Sequence, residues 1–551
     1  MENYLLKFIE VISNLKILLL KKNEFNWNWF LTPSLWGGRV GLFFLISTSQ
    51  AQFNPQTKDI TNTFFPEMEL EISTPAFKKE SGFTNYQEMM DWLDVTLKPH
   101  SEFVSLSFIG ESQKGKKIPM VLISHKNGKP KTKVWMQGGL HGDEPAGTEA
   151  MLHLIDRLLN EPKYKFLPED LELAIVPMAN IDGYEKQRRE SANGIDLNRD
   201  QTRFKAPESV SLKTAFSKFG PAVALDFHEY RPFRKDFTRL GKGGITNIYD
   251  AMFLYSGNLN VPENLRKFTK SPFVGNAKQV LEENHLRTHD YISTQKSGGQ
   301  VEFNLGSVHS RSSATSYALS NCVSTLLEIR GVGIGRTSFK RRVQSSFLIA
   351  ISYLETTVKE RQNLESVLAE AEKAQNPVVV TSKRKVEKDT ILAIDLYDNK
   401  EIKFPVIVNN ALESKPDLQR KRPFAYLISA SEKKAIKCLK ILGLKIDSLS
   451  EEKEIDVQVY YSSANSEEEE KPETDEEEGD ENQKETNTKD VKRKFSKGTY
   501  IVYMNQKCSN LACEILEPEN INGFVSTKVI KLKDGQELPV YRYMKSEKLS
   551  P

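Results

Sequence analysis

The sequence predicts an α/β fold followed by a smaller β-rich C-terminal domain, and three observations lead there. From Thr57 to about Gln375, apolar runs of strand length alternate with amphipathic stretches of helical period, the pattern of an α/β layer. After Asn376-Pro377 the chain turns to short runs rich in β-branched and aromatic residues. At 551 residues it is also longer than one ordinary core serves.

At the N-terminus, Arg39 precedes the apolar run Val40–Ile46, and Ser49-Gln50-Ala51 places small residues at the spacing signal peptidase accepts. Residues 1–51 therefore read as a signal segment, which implies an exported protein, periplasmic or secreted. The alternative is an irregular extension of a cytoplasmic protein. The stretch before Arg39 is long for a leader, and a later translation start would account for it. No apolar run approaches the ~20 residues of a spanning helix, so no stable membrane span is expected.

Within the α/β segment, Lys133–Gln137, Leu171–Met178, Ala222–Phe227 and Cys322–Leu327 read as buried strands. After Pro145, residues Met151, Leu152, Leu154, Ile155, Leu158 and Leu159 recur at helical spacing. Phe339 to Ala374 reads as one long helix or two short ones. In the tail, Val378–Thr381, Ile455–Tyr460, Thr499–Met504 and Leu538–Tyr543 read as strands, with a helix over Ser431–Leu442. These define a β-rich domain over 377–461 and 498–548. Between its halves, residues 462–497 are dominated by Glu and Asp from Glu467 to Glu481 and close on basic residues from Lys489 to Lys497. That segment lacks apolar content and is expected to be a disordered, solvated insert.

Composition excludes some partners. With 77 basic and 74 acidic residues the formal charge is +3, which makes no case for nucleic acid or an anionic membrane. The four cysteines are too few for a disulfide scaffold, and none forms a C-x-x-C pair, so a metal site must use histidine and carboxylates.

The segment Trp135-Met-Gln-Gly-Gly-Leu-His141-Gly-Asp-Glu144-Pro145 follows an apolar strand and sets a histidine and a glutamate three residues apart. Imidazole and carboxylate are the N/O donors zinc favours, and a catalytic zinc takes three protein ligands. Two are a fragment. Alone, the pair reads as well as a surface imidazole and a carboxylate complementing the dipole of the next helix.

Other chemistry-bearing residues fall at the same sheet edge, where open α/β sheets bind ligands. Asn180-Ile-Asp-Gly183-Tyr184 follows the second strand and leads to Arg189 and to Gly194-Ile-Asp196-Leu-Asn198-Arg199. His228 closes the third strand and Glu328 the fourth. His228 could instead be a structural partner of Asp226 or Glu229, and Glu328 half of an ion pair with Arg330, which shares its face at period two.

In this order and spacing, from about Thr84 to Arg342, the chain resembles the zinc carboxypeptidases of the carboxypeptidase A type. The resemblance implies a mixed central sheet flanked by helices and one zinc per chain, held by His141, Glu144 and His228. It implies that Asp196 orients His141, that Glu328 is the general base and acid, and that Arg189 stabilises the oxyanion, with Arg188 as a possible substitute. Asn198 and Arg199 correspond to the pair that grips a free C-terminal carboxylate, and Tyr317 is the nearest candidate for a tyrosine that caps it, although its spacing is short. The partner implied is a peptide with a free C-terminal carboxylate. Asp143 stands where pancreatic-type members carry arginine, and the pocket residue within Gly306–Ala318 cannot be aligned, so side-chain preference stays open. Two other readings remain at this point: a zinc amidohydrolase of N-acyl amino acids, akin to aspartoacylase and succinylglutamate desuccinylase, and a non-catalytic binding protein on the same scaffold.

Overall fold

The computed structural model describes residues 56–297, 300–462, 486–531 and 537–549. The proposed signal segment and the acidic run Glu467–Glu481 lie outside the described residues.

An eight-stranded sheet organises the first part of the chain. Its spatial order is Val104–Glu111, Lys117–Ile123, Leu171–Val176, Thr132–Gly138, Val223–Tyr230, Val323–Arg330, Ala251–Tyr255 and Thr288–Asp290. Four central neighbours run parallel, whereas Lys117–Ile123 against Leu171–Val176 and Ala251–Tyr255 against Val323–Arg330 are antiparallel, so the sheet is mixed. The central strands are buried almost throughout, as parallel strands covered by helices must be. Helices Pro145–Asn160 and Phe339–Lys359 pack on each other and on the sheet. Trp135 meets Phe216 of helix Pro207–Phe219 edge to face, and Phe216 stacks on Tyr317 of helix Ser313–Leu319 with ring centroids 3.9 Å apart. Phe339 to Ala374 resolves into two helices, Phe339–Lys359 and Arg361–Lys373.

The β-rich tail is divided between two sheets. Val378–Asp395 and Lys400–Arg420 form a long hairpin that pairs with Ile245–Asn247 on one side and Gln300–Leu305 on the other, both from the preceding segment. The sequence groups this hairpin with the C-terminal strands, since alternation identifies a strand and its buried face but not its partner. Ile391, Ala393, Val406 and Val408 bury that face in a cluster with Phe237, Ile245 and Phe303. The second sheet, of six strands, is ordered Asp447–Ser448, Tyr500–Tyr503, Ala425–Ile428, Val540–Tyr543, Lys453–Ser462 and Thr486–Phe495.

Its last strand corrects the expectation of an insert disordered over all of 462–497. Thr486–Phe495 pairs antiparallel with Lys453–Ser462, setting Lys494 opposite Glu454 and Lys492 opposite Asp456. Lys492 also reaches Glu454 at 3.0 Å and Lys494 reaches Glu452 at 2.6 Å. Opposite charges across a ladder support pairing, and Thr486 and Phe495 bury the two ends. Charge that looked like a reason for disorder is matched by the neighbouring strand. Among the described residues no helix is long and apolar enough to cross a membrane.

Candidate metal centre and active site

The loop after strand Thr132–Gly138 carries the first two candidate ligands. Gly138 and Gly139 accept from the amides of Ala179 and Asn180, joining this loop to the one after Leu171–Val176. The Asn180 side chain accepts from the Gly183 amide at 3.0 Å and donates to the Arg189 carbonyl at 3.2 Å, folding the 189 segment beneath residues 141–144. Pro145 opens the next helix, where a missing N–H is harmless. Glu144 stands at the N-cap position without capping. Glu229, from the neighbouring strand, accepts from the Ala146 amide at 2.9 Å instead, and its own amide donates to Glu144 Oε2 at 3.0 Å. The carboxylate of Glu144 is thereby turned from the helix toward the site. Arg342 donates to Glu229 Oε1 at 2.7 Å and neutralises that buried charge.

His141, Glu144 and His228 converge. The Nδ1 atoms of the two histidines lie 3.0 Å apart, with Glu144 Oε1 2.7 Å from the first and Oε2 2.9 Å from the second. A tetrahedral zinc with ligands at ~2.0–2.1 Å spaces its donors by about 3.3 Å, so the three side chains hold a zinc with small outward adjustments. All three are buried, and they are the cluster able to hold a metal found among the described residues. The opposite ring nitrogens face carboxylates. His141 Nε2 is 3.1 Å from Asp196 Oδ1, and His228 Nε2 is 3.0 Å from Asp226 Oδ2. For His141 the N–H directed at Asp196 fixes the tautomer that leaves Nδ1 free for metal, whereas His228 and Asp226 meet at ion-pair distance without an aligned hydrogen bond.

Asp196 is a hub. Besides His141, it accepts from the Asn198 amide at 2.7 Å and from Arg189 Nε at 3.0 Å. Burial opposes its charge, yet His141 and Arg189 hold its carboxyl well below the usual range. Burial raises the Glu144 carboxyl too, and His141 and His228 outweigh it to bring it far down. Burial and Arg189 disfavour a charged His141, but Glu144 and Asp196 lift it above its ordinary value; Asp226 and Glu144 likewise lift His228 well above it against burial. A site that draws protons this strongly onto its histidines is electronegative, and a divalent cation displaces those protons on binding.

Glu328 lies opposite His228 in the parallel register of strands Val323–Arg330 and Val223–Tyr230. It is half-buried, and its carboxyl is pushed up to about 7, first by burial and then by Glu144, with His228, His141 and Arg189 pulling back. Arg330 is not its partner: the guanidinium donates to Gln56 at 2.9 Å and to Thr246. Arg189 reaches the cluster, its Nη1 3.6 Å from Glu144, whereas Arg188 is exposed. Arg199 is half-buried; its Nη1 donates to the Asn198 carbonyl at 3.1 Å, and its Nε is buried without a hydrogen-bond partner. Asn198 is buried and accepts from the Ser313 amide at 2.9 Å.

Tyr317 does not join them. It is 1 % exposed, stacked on Phe216, and its hydroxyl donates to Gln137 at 3.1 Å. The helix that carries it turns that face into the core, where Tyr317 is not placed to cap a substrate. Two contributors are not legible as such in the sequence: Asp226, which period two puts on the face of His228 but which reads equally as a structural neighbour, and the pair Glu229–Arg342, which nothing local announces.

Buried N/O donors, flanking carboxylates and a nearby carboxyl that titrates near neutrality define a metal-dependent hydrolase site. The zinc carboxypeptidase family profile matches residues 89–221, which hold His141, Glu144 and the run Arg189 to Arg199. Carboxypeptidase 2 of Trichophyton rubrum is 30 % identical over 456 residues, 78 % of this chain and 81 % of that protein. Carboxypeptidase 2 of Trichophyton tonsurans is 29 % identical over 449 residues, with the same coverage of 78 % and 81 %. Among solved structures, carboxypeptidase A of Helicoverpa armigera covers 52 % of this chain and 79 % of its own at 18 % identity, with a TM-score of 0.39. The chain belongs to the zinc carboxypeptidase family and is a zinc-dependent hydrolase of peptide bonds. The comparisons give no support to the amidohydrolase or to the non-catalytic reading.

Proposed function

We propose that the enzyme removes the last residue of peptides bearing a free C-terminal carboxylate, with zinc on His141, Glu144 and His228. Zinc, when bound, lowers the pKa of a water toward neutrality and polarises the scissile carbonyl. Glu328 takes the proton of the attacking water and returns it to the leaving amine, and burial beside Glu144 raises its carboxyl above the ordinary range, which strengthens it as a base. Arg189 donates to the oxygen that gains charge, while Asp196 holds both that guanidinium and His141. Arg199 and Asn198 bind the terminal carboxylate. The observation that carries this reading is the half-buried Arg199 guanidinium beside Asn198, anchored through Nη1 to the Asn198 carbonyl while its buried Nε has no hydrogen-bond partner, a fixed cation with donor capacity left for a carboxylate. Export follows from the signal-like residues up to Ala51.

The test compares one peptide with free and with amidated C-terminus, alongside N-acyl amino acids, using zinc-loaded protein. Release of the last residue from the free peptide alone is expected. Hydrolysis confined to the N-acyl amino acids would replace the reading.

A further inference from the structure

The cluster around His141 draws on residues up to Arg342, and a carboxyl far down the chain is buried against the segment that borders it. Residues 306–313 run from strand Gln300–Leu305 into helix Ser313–Leu319. At the near end they are tied to the run that follows Asp196: Ser313 donates its amide to Asn198 Oδ1 at 2.9 Å, and the Arg311 carbonyl accepts from the Gln201 amide at 3.3 Å. At the far end, the Ser307 carbonyl accepts from the Gly257 amide at 2.9 Å, and the Val308 carbonyl accepts from Asn258 Nδ2 at 2.8 Å.

The Asn258 amide is in turn fully oriented. Its oxygen accepts from the Asn260 amide at 2.9 Å, and its Nδ2 also donates to Glu514 Oε1 at 3.0 Å. Glu514 belongs to helix Ser509–Leu516, which packs against helix Ser313–Leu319, and is 2 % exposed. Its other oxygen accepts from Asn260 Nδ2 at 2.9 Å. Burial raises the Glu514 carboxyl while Asn260, Asn258, Asn520 and Ser310 pull it back, so a group buried this deeply has its position set by its neighbours.

We propose that Glu514 is a positioning residue for substrate binding: by holding the Asn258 amide against the Val308 carbonyl, it sets the path of residues 306–313 beside Asn198 and Arg199. The C-terminal region is then a working part of the peptidase rather than an appendage. The inference rests on the carboxylate-binding role of Asn198 and Arg199. Glu514 touches no substrate and acts through Asn258, so its loss alters binding before it alters the chemical step.

The experiment uses the full-length zinc-loaded protein as wild type, Glu514→Gln and Asn258→Ala, with steady-state kinetics on a peptide with a free C-terminus. Glutamine accepts at one oxygen only and sets an NH2 against one of the two asparagine amides. KM is expected to rise about tenfold in both variants while kcat and zinc content stay near wild type. Unchanged KM, or KM and kcat failing together with zinc loss, overturns the proposal. If Glu514→Gln does not fold, Asn258→Ala decides, since it cuts the link to Val308 while leaving Glu514 its bond to Asn260. A wild type inactive on this peptide removes the clamp reading itself; an active wild type with unaltered variants removes Glu514 alone.

Discussion

His228 Nε2 lies 3.0 Å from Asp226 Oδ2, two residues back along the same strand and on the same face. His228 is fully buried, and Asp226 is the carboxylate at ion-pair distance from this nitrogen. Asp226→Ala is expected to leave the fold and the other two ligands in place but to weaken zinc binding by roughly 10–100-fold, the usual effect of losing a carboxylate behind a ligand histidine. Competition with a chromophoric chelator measures it. Zinc affinity equal to wild type would mean that the strand alone orients the ring.

Glu328→Gln separates two consequences of one carboxyl. In the zinc-loaded enzyme, kcat/KM is expected to fall by about 10²–10⁴-fold with zinc retained, since glutamine keeps the shape and loses the base. In the metal-free protein, a carboxyl raised from 4.5 to about 7 contributes stability that is present below pH 4.5 and lost as pH rises through 7. The metal-free variant should therefore unfold at higher denaturant than wild type at about pH 8, by on the order of 1–3 kcal/mol, and the gap should close toward acid. A gap that does not change with pH would assign the effect to packing.

Gly142 separates His141 from Asp143 where two loops touch. A Cβ there falls on backbone atoms of Gly183, Tyr184 and Arg188, none of which can swing aside as a side-chain tip does. Gly142→Ala is expected to cost about 1–3 kcal/mol or more of stability and to lower zinc affinity, because the same approach sets His141 over Asp196. Paired denaturation and zinc titration check this; full stability with normal zinc binding would show that the loops tolerate separation.

The site was legible for a definite reason. His141 follows one apolar strand and His228 and Glu328 lie near the ends of two others, and parallel strands of one sheet bring such ends to one edge, so position along the chain substituted for three-dimensional position. Tyr317 fails the same logic because it sits on a helix, where the docked face is chosen by partners such as Phe216 that are distant in sequence. Asp226 was visible but ambiguous, since the same spacing describes a histidine held for structure. Val378–Thr381 is read as a strand, but the hairpin to Arg420 that contains it is not, and residues 486–495 are read as part of an insert, because strand pairing is not written in any one strand. The bond from Glu514 to Asn258 spans 256 residues and has no local trace at all.

Arg199→Lys tests whether geometry or charge selects the substrate terminus. Lysine keeps the positive charge but offers a single ammonium in place of a planar guanidinium, and it cannot present two parallel N–H donors to one carboxylate. Arg199 already commits Nη1 to the Asn198 carbonyl, which aims the fork; a lysine would be free to rotate. kcat/KM on the peptide with a free C-terminus is expected to fall by about 10–100-fold, mostly through KM, because two charge-assisted bonds become one. Residual activity on the amidated peptide should be nearly unchanged, since an amide gives neither side chain an anion to hold. The readout is the ratio of the two substrates, which a loss of fold or of zinc lowers in both terms and leaves constant. A ratio equal to wild type in the lysine variant would reduce Arg199 to a source of charge, and one equal to wild type in Arg199→Ala would remove it from substrate recognition.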